Sequence, residues 1–396
     1  MIFNDSAGSE TRQPRWLALS RLSERLGGLA GFSHRPLFFL GLILSLFGLI
    51  MIYSASAVLG MQKSGDALFY VKKQALFLGL GWALYFLVAQ FDVSKLCRFR
   101  LMFLVMGLLL LVAVMIPGLG QAAGGAQRWL SLGFLTIQPS ELVRLLLVFY
   151  LAGTLSFRQD RLHSFNRGFL PLLVVTSVLM LLLLFQPDFG GAMGVLLLSV
   201  ALWFVGGVPL SFLAGLVVLA IPAMIFILFS ASYRAERVMT FLNPWKDPQG
   251  NGFQVIQSFA AFHQGGWSGQ GLGNSTQKLF YLPEAHTDFI FSLIGEELGV
   301  VGVFTVVSLF VALLFFGARI AKSQESSESY YLATGVSIFL CLPATLNMMV
   351  TMGLLPTKGL PLPFFSYGGS SLLVSLLSLG ILQSLYRKSQ ITEARR

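Results

Sequence analysis

Apolar runs of membrane-spanning length recur along the whole chain, with turn-forming residues between them. A spanning helix needs about 20 mostly apolar residues, because the hydrocarbon core is about 30 Å thick and a helix rises about 1.5 Å per residue. Ten segments meet that requirement: 36–57, 73–91, 101–117, 139–157, 168–186, 189–207, 210–230, 287–320, 329–353 and 366–386. Breakers separate most of them, among them Pro117-Gly118, Pro187-Asp188, Gly206-Gly207-Val208-Pro209 and the stretch from Pro356 to Pro363. The pattern predicts an all-α polytopic membrane protein of about ten transmembrane helices. It divides into a basic segment over 1–35, one membrane domain over 36–387 that includes a large loop at 231–286, and a tail over 388–396.

A loop as long as 231–286 is unusual unless it has a function. Within it Phe253, Ile256, Phe259, Ala260 and Phe262 form an apolar stripe, which predicts a short helix packed on the outer membrane surface. The plainer reading is a cap on the bundle. Near the N-terminus Leu19, Leu22, Leu26 and Leu29 recur at helical spacing among Arg15, Arg21 and Arg25. That suits either a helix on the inner leaflet or a disordered basic tail. No cleavable signal peptide is visible in the first 35 residues, which are polar and basic.

Composition agrees with a membrane chain: 55% of the 396 residues are hydrophobic and 11% charged, against about 45–50% and about 25% in a soluble domain. The mean hydropathy is +0.76. A net charge of +10 would suggest a polyanion partner in a soluble protein. Here the short loops explain it. Lys95, Arg98, Arg100, Arg158, Arg161, Arg167, Arg319, Lys322, Arg387 and Lys388 all fall on one side of the predicted topology. The positive-inside bias therefore puts both termini in the cytoplasm and the 231–286 loop outside, and no nucleic-acid partner is expected. Cys97 and Cys341 lie far apart and offer no disulfide framework or CxxC site.

Charges inside spans are costly, at least about 2.5–3.5 kcal/mol each on insertion scales, so each needs a partner or a task. Four stand out: Glu141, Arg144, Glu296 and Glu297. Glu141 and Arg144 share a helix face and can pair, either as a packing device or facing a substrate. They follow Gln138-Pro139-Ser140, a helix start whose backbone N–H groups could bind an anion. The segment Pro283-Glu284-Ala285-His286-Thr287-Asp288 is the most informative. Glu284 and Asp288 share a face if a helix begins at Pro283, and Asp288 then sits at the outer mouth of a long span, a setting that suits a general base. The alternative is that Thr287 or Asp288 caps the span. A metal held by Glu284, His286 and Asp288 is weakly supported. The glycines of Ser268 to Asn274 lack the Gly-Lys-Ser/Thr of a nucleotide loop. Lys358, followed by Gly359 and the Ser366 to Ser371 turn, could bind a phosphate, or the small residues could serve helix packing.

The stretches Phe241 to Pro248, Gln270 to Ser275 with Gln277-Lys278, and Leu282 to Phe291 with Gly295-Glu296-Glu297-Leu298-Gly299 resemble the SEDS family of shape, elongation, division and sporulation proteins. Arg128-Trp129, Gln138-Pro139-Ser140-Glu141, Gln186-Pro187-Asp188-Phe189-Gly190 and the Lys358 to Ser371 cluster extend the resemblance over nearly the whole chain after residue 36. The wording Asn243-Pro244-Trp245 and Pro283 to Asp288 is closer to the division member than to the elongation member. Departures are Thr136 where Arg is frequent, Arg144 for Lys, Phe253 for Tyr and Pro361 for Thr. An anion contact from position 136 therefore does not carry over, whereas the charge at Arg144 does.

The resemblance implies a ten-span peptidoglycan glycosyltransferase of septal wall synthesis that joins lipid II into glycan strands. Asp288 stands at the family's catalytic aspartate. It also implies a single-span class B penicillin-binding transpeptidase as partner, besides other division proteins and membrane lipids, and a place in the inner membrane at the septum. Such a reaction expels a pyrophosphate, so one base and several cations suffice. Asp288 is the expected base, and Arg128, Lys278 and Lys358 are the cations expected to touch phosphate. Trp129, Gln138, Glu141, Arg144, Glu284, His286 and Ser366 complete the expected substrate site. Arg234 and Arg237 read as lipid-headgroup contacts. No nucleotide or prosthetic group is expected, and a divalent cation is compatible. The competing functions are a lipid II flippase, which would use the intramembrane charges, and a non-catalytic scaffold that recruits the transpeptidase.

Overall fold

The computed structural model describes residues 35–393 apart from 124–125, 133–134, 230–238, 251, 279–284 and 357–358. The leucine pattern at 19–29, Arg234, Arg237, Glu284 and Lys358 lie outside the described residues. Each predicted span becomes a helix. In chain order these are α1 (Arg35–Ser64), α2 (Phe69–Ala89), α3 (Arg100–Met115), α4 (Pro139–Phe157), α5 (Leu170–Phe185), α6 (Phe189–Val205) and α7 (Leu210–Phe229). The insertion carries α8 (Phe253–Gly265), and α9 (Ile290–Lys322), α10 (Ser327–Thr351) and α11 (Gly369–Glu393) follow it. A 3-10 segment, Val93–Phe99, leads into α3, and a π-helical turn, Phe165–Phe169, leads into α5. Among the described residues eight helices are long and apolar enough to cross a membrane, and α6 and the 210–219 part of α7 are shorter apolar helices.

The starts and stops have local causes. Pro139 sits at the first turn of α4, where its missing N–H costs nothing. Asp188 caps α6 by accepting from the Gly191 N–H at 2.9 Å, and Ser326 caps α10 through the Ser329 N–H. The apolar window of α4 is 83% buried, against 72% for α11, 67% for α10 and 17% for α2. α4 is therefore the axis of the bundle and α2 a peripheral helix leaning on α11. Because lipid tails are as apolar as leucine, close packing rather than transfer from water holds such helices together. Gly335 of α10 illustrates this: a Cβ there would lie 2.6 Å from Val148 of α4 and 3.1 Å from Leu202 of α6.

Two features depart from the simple expectation. Between α3 and α4 the chain forms a three-stranded antiparallel sheet, β1 (Gly120–Ala123), β2 (Ala126–Leu132) and β3 (Leu135–Ile137), so the all-α bundle carries a small β element. Strands of three to seven residues have too little periodicity to stand out from a loop. The second feature is in α9, where Gly299 has φ 64° and ψ −159°. The span expected at 287–320 is two helical pieces meeting at a kink.

Candidate active site

The end of the bundle that bears the sheet and the 230–289 insertion gathers most of the sequence-predicted polar residues. α9 begins at Ile290 with Phe289 in the N-cap position, and Ala285–Phe289 form a turn. The expected helix from Pro283 or Thr287 is therefore shorter, and neither Thr287 nor Asp288 occupies the N-cap. The reason is visible in the backbone. Three consecutive carbonyls of the turn are taken by donors from elsewhere in the bundle: His286 O by the Tyr367 N–H at 2.9 Å, Thr287 O by the Ser366 hydroxyl at 2.5 Å, and Asp288 O by Asn347 Nδ2 at 2.8 Å. Asn347, on α10 and 2% exposed, also donates to Leu360 O at 2.7 Å. Ser366 in turn accepts from the Leu362 N–H at 2.8 Å. The Asp288 backbone is thereby fixed to α10 and to the 359–368 turn.

The Asp288 carboxylate faces that turn: a Cβ placed on Gly359 would lie 3.3 Å from Oδ2. Lys358 precedes this glycine in sequence. On the other side of Gly359 stands the N-terminus of α6, where a Cβ on Gly190 would be 3.4 Å from Gly359 O. Arg128 reaches the same place from the sheet by donating to the Pro187 carbonyl just ahead of α6. Its position has a structural cause. Gln121 pairs with Trp129 but Ala122 pairs with Gln127, so Arg128 is the extra residue of a β-bulge, a device that re-aims a side chain. Two carboxylates, that of Asp288 and that of the α6 cap Asp188, and the Arg128 guanidinium thus meet around the Pro187 to Gly190 turn.

Glu141 and Arg144 form the ion pair that their spacing suggested, both nearly fully buried in α4. A Cβ on Gly194 would lie 3.1 Å from Arg144 Nη1. Gly194 is one helical turn beyond Gly190, so the pair packs on the face of α6 that carries the Asp288 site, about 6 Å deeper. Arg144 also lies over the Phe339 ring at 5.7 Å. The start of α4 is less open than its sequence suggests. Pro139, Ser140 and Glu141 are buried, and the Gln138 N–H donates to Ser370 on α11 at 3.0 Å.

Lys278 is engaged by other partners. Its ammonium contacts Glu297 Oε1 at 3.2 Å, Gly273 O at 2.5 Å and Ser54 Oγ at 3.4 Å, and its side chain is 9% exposed. Glu296 accepts from the Ser275 hydroxyl, the Thr276 N–H at 2.8 Å, the Thr276 hydroxyl at 3.0 Å and the Gln277 N–H at 3.4 Å. The two intramembrane carboxylates expected from the sequence are thus the anchor of the insertion.

His286 packs with Tyr70 and Tyr367, ring centroids 5.3 and 5.9 Å away. Burial, with the Tyr70 phenol alongside, pushes the Tyr367 hydroxyl above its ordinary pKa. Trp129 is half-buried beside Arg128 in β2. Among the described residues no group of three or more His, Cys, Asp or Glu is placed to hold a metal. Asn347 is the residue that sequence reasoning passed over. A buried amide in an apolar span was its only signal, and a search for charges does not find it. The insertion helix α8 lies on α9 and α10 instead of on lipid alone. It buries Val255, Ser258, Ala261 and Gly265, and Ser258 donates to Thr351 O at 2.6 Å.

Fold and site together define a polytopic membrane protein with a carboxylate-centred polar site at one end of its helical bundle. The chain belongs to the FtsW/RodA/SpoVE family, described as cell cycle protein, whose model matches residues 34–391. It is 42% identical over 348 residues to the "Probable peptidoglycan glycosyltransferase FtsW" of Geobacter sp. (strain M18), covering 87% of this chain and 94% of that one. It is 39% identical over 349 residues to "Stage V sporulation protein E" of Bacillus subtilis (strain 168), covering 88% and 95%. Among solved structures it resembles a chain of a peptidoglycan synthase complex that coordinates polymerization and crosslinking, with TM-score 0.74, 32% identity and coverage of 89% and 97%. The rod shape determining protein RodA of Thermus thermophilus superposes with TM-score 0.65 at 28% identity, covering 89% and 96%.

Proposed function

We propose that this chain is a peptidoglycan glycosyltransferase that polymerises lipid II into glycan strands, with Asp288 as general base. A sugar hydroxyl of one substrate attacks the anomeric carbon of the other, its proton passes to the Asp288 carboxylate, and the lipid pyrophosphate departs as an anion. Arg128 and Lys358 supply positive potential for that leaving group. The observation that carries the reading is the backbone clamp on residues 286–288, which holds one carboxylate beside Gly359. An aspartate fixed in this way is preorganised for proton transfer. Ser366 holds the turn through Thr287 O, the family resemblance assigns Trp129, Gln138 and His286 to the substrate site, and the Glu141–Arg144 pair packs deeper on the same face of α6.

The bias of Lys and Arg to the opposite end of the bundle supports an active site on the outer face of the inner membrane, with both termini in the cytoplasm. Relatives named for FtsW support a role at the septum, and the neighbouring synthase complex supports a class B penicillin-binding transpeptidase as partner. The test is polymerisation of labelled lipid II by the purified full-length protein with its transpeptidase. Asp288→Asn is expected to lower the rate by about 10²–10⁴-fold, the contribution of a positioned base. Polymer formation by that variant at the wild-type rate refutes the base assignment. A wild-type protein that moves lipid II across liposomes without polymerising it establishes the transporter function instead.

A further inference from the structure

The insertion returns to its own following helix. Residues 266–271 lie along α9 backbone to backbone: the Gln270 N–H donates to Glu296 O at 3.0 Å, the Gly271 N–H to Glu297 O at 3.0 Å, and the Val300 N–H to Gly266 O at 2.9 Å. This contact needs glycine on both sides. A Cβ on Gly269, at φ 79°, would overlap the Glu297 carbonyl, and one on Gly299 would stand 2.5 Å from Gly269 N. Beyond it, residues 273–278 form a strap over the two carboxylates. Glu296 gathers the Ser275, Thr276 and Gln277 donors, and Glu297 receives Lys278 and the Ser54 hydroxyl of α1, the latter at 2.5 Å. Glu297 is fully buried and Lys278 nearly so.

We propose that Lys278 is a positioning residue and not a phosphate ligand. It is a tethered cation that neutralises Glu297 and so closes the strap on α9. The inference rests on the glycosyltransferase reading and assigns a task within it. The Lys278–Glu297 tie closes a loop with 19 residues of separation, and Asp288 lies inside that loop. Closing it removes conformations of the 285–288 turn that the clamp alone leaves available, and Ser54 fixes the closed strap to the first helix of the bundle. With three oxygens around it and little exposed surface, the ammonium has no face left for a substrate phosphate. Glu297 Oε2 has no hydrogen-bond partner among the described residues, so an arginine fork at 278 could engage both carboxylate oxygens.

The experiment is a rescue. In the full-length protein with its transpeptidase and labelled lipid II, Lys278→Met is expected to lower kcat about 10²-fold, the scale of a small misplacement of a reacting group. Adding Glu297→Gln removes the orphaned charge and is expected to restore kcat to within about tenfold of wild type, and Lys278→Arg is expected to retain activity. A phosphate ligand behaves differently: Glu297→Gln then leaves Lys278→Met unrescued, which overturns the proposal. Hydrogen exchange of residues 285–289 supplies a readout independent of catalysis, faster in Lys278→Met and slow again in the double variant. Should Lys278→Met fail to fold, Ser54→Ala removes one hydroxyl and no charge. It must speed the same exchange and lower kcat severalfold with KM unchanged, and wild-type values in both refute the strap. Absence of polymer from wild type counts against the glycosyltransferase reading alone, since the exchange arms still decide the strap.

Discussion

Asn347 offers the sharpest test of how the site is held. Replacing it by leucine keeps the volume and removes the donors to Asp288 O and Leu360 O in a region where Asn347 itself is 2% exposed. An unsatisfied buried acceptor costs about 1–3 kcal/mol, so the loss of both bonds amounts to as much as about 6 kcal/mol if the backbone stays in place. Domain stabilities are about 5–15 kcal/mol. The chain therefore keeps its fold and relieves the cost locally, by letting the 285–289 turn and the 359–362 segment move toward water. A displacement of about 1 Å at the carboxylate lowers the chemical rate about 10²-fold. The assay is steady-state polymerisation of labelled lipid II together with thermal unfolding in detergent. The expected result is a kcat about 10²-fold lower with the melting temperature changed by only a few degrees. Wild-type kcat in a folded Asn347→Leu protein would show that the amide does not hold the base, and the clamp argument would fall with it.

Other consequences can be measured in the same preparation. Glu141→Gln leaves Arg144 buried without its counter-charge and is expected to cost about 3–5 kcal/mol, whereas Glu141→Gln with Arg144→Met is expected to unfold closer to the wild-type temperature. Equal melting temperatures for the single and double variants refute the pairing. Gly299→Ala forces a side chain into φ 64°, ψ −159°, a conformation essentially reserved for glycine and costing about 1–3 kcal/mol. It also places a Cβ 2.6 Å from Trp267 O, so the strap should loosen and amide exchange over 266–271 should rise. At the opposite end, burial raises the pKa of Asp92, but the Ser94 hydroxyl, Lys388 and Lys95 outweigh it and hold the carboxyl below its ordinary value. The stability contributed by a depressed carboxylate is present above the unfolded-state pKa and lost as pH falls through the folded one. Acidification below the ordinary carboxylate range should therefore release the end of α11 from the α2–α3 turn. Limited proteolysis at 384–393 reads this out, and Asp92→Asn should abolish the pH dependence.

The sequence carried the helices because hydropathy over about 20 residues is a strong signal and the breakers between runs are local. Pro139–Phe157 and Phe189 are helix boundaries that proline and Pro187-Asp188 mark directly. The ion pair of Glu141 and Arg144 was legible for the same reason, since i,i+3 neighbours meet on any helix. What could not be read was anything set by contacts distant in sequence. The true start of α9 depends on donors from Ser366, Tyr367 and Asn347, about 60 to 80 residues away. The aim of Arg128 depends on a bulge in a sheet whose strands are too short to announce themselves. The ion pair of Lys278 with Glu297 was not legible because Glu297 reads as part of a membrane span until the kink at Gly299 is known.

That kink resets the draught of the helix in the bilayer. Thirty-three residues in one straight rod would measure about 50 Å, well over the ~30 Å of hydrocarbon. Interrupted at Gly299, the stretch from 300 to 322 spans about 35 Å on its own and satisfies the membrane thickness without help. The preceding piece, with Glu296 and Glu297, is then surplus to the crossing and serves as a mast to which the insertion is lashed. Held by the strap and by Ser54, the two carboxylates need no transport pathway to explain their presence.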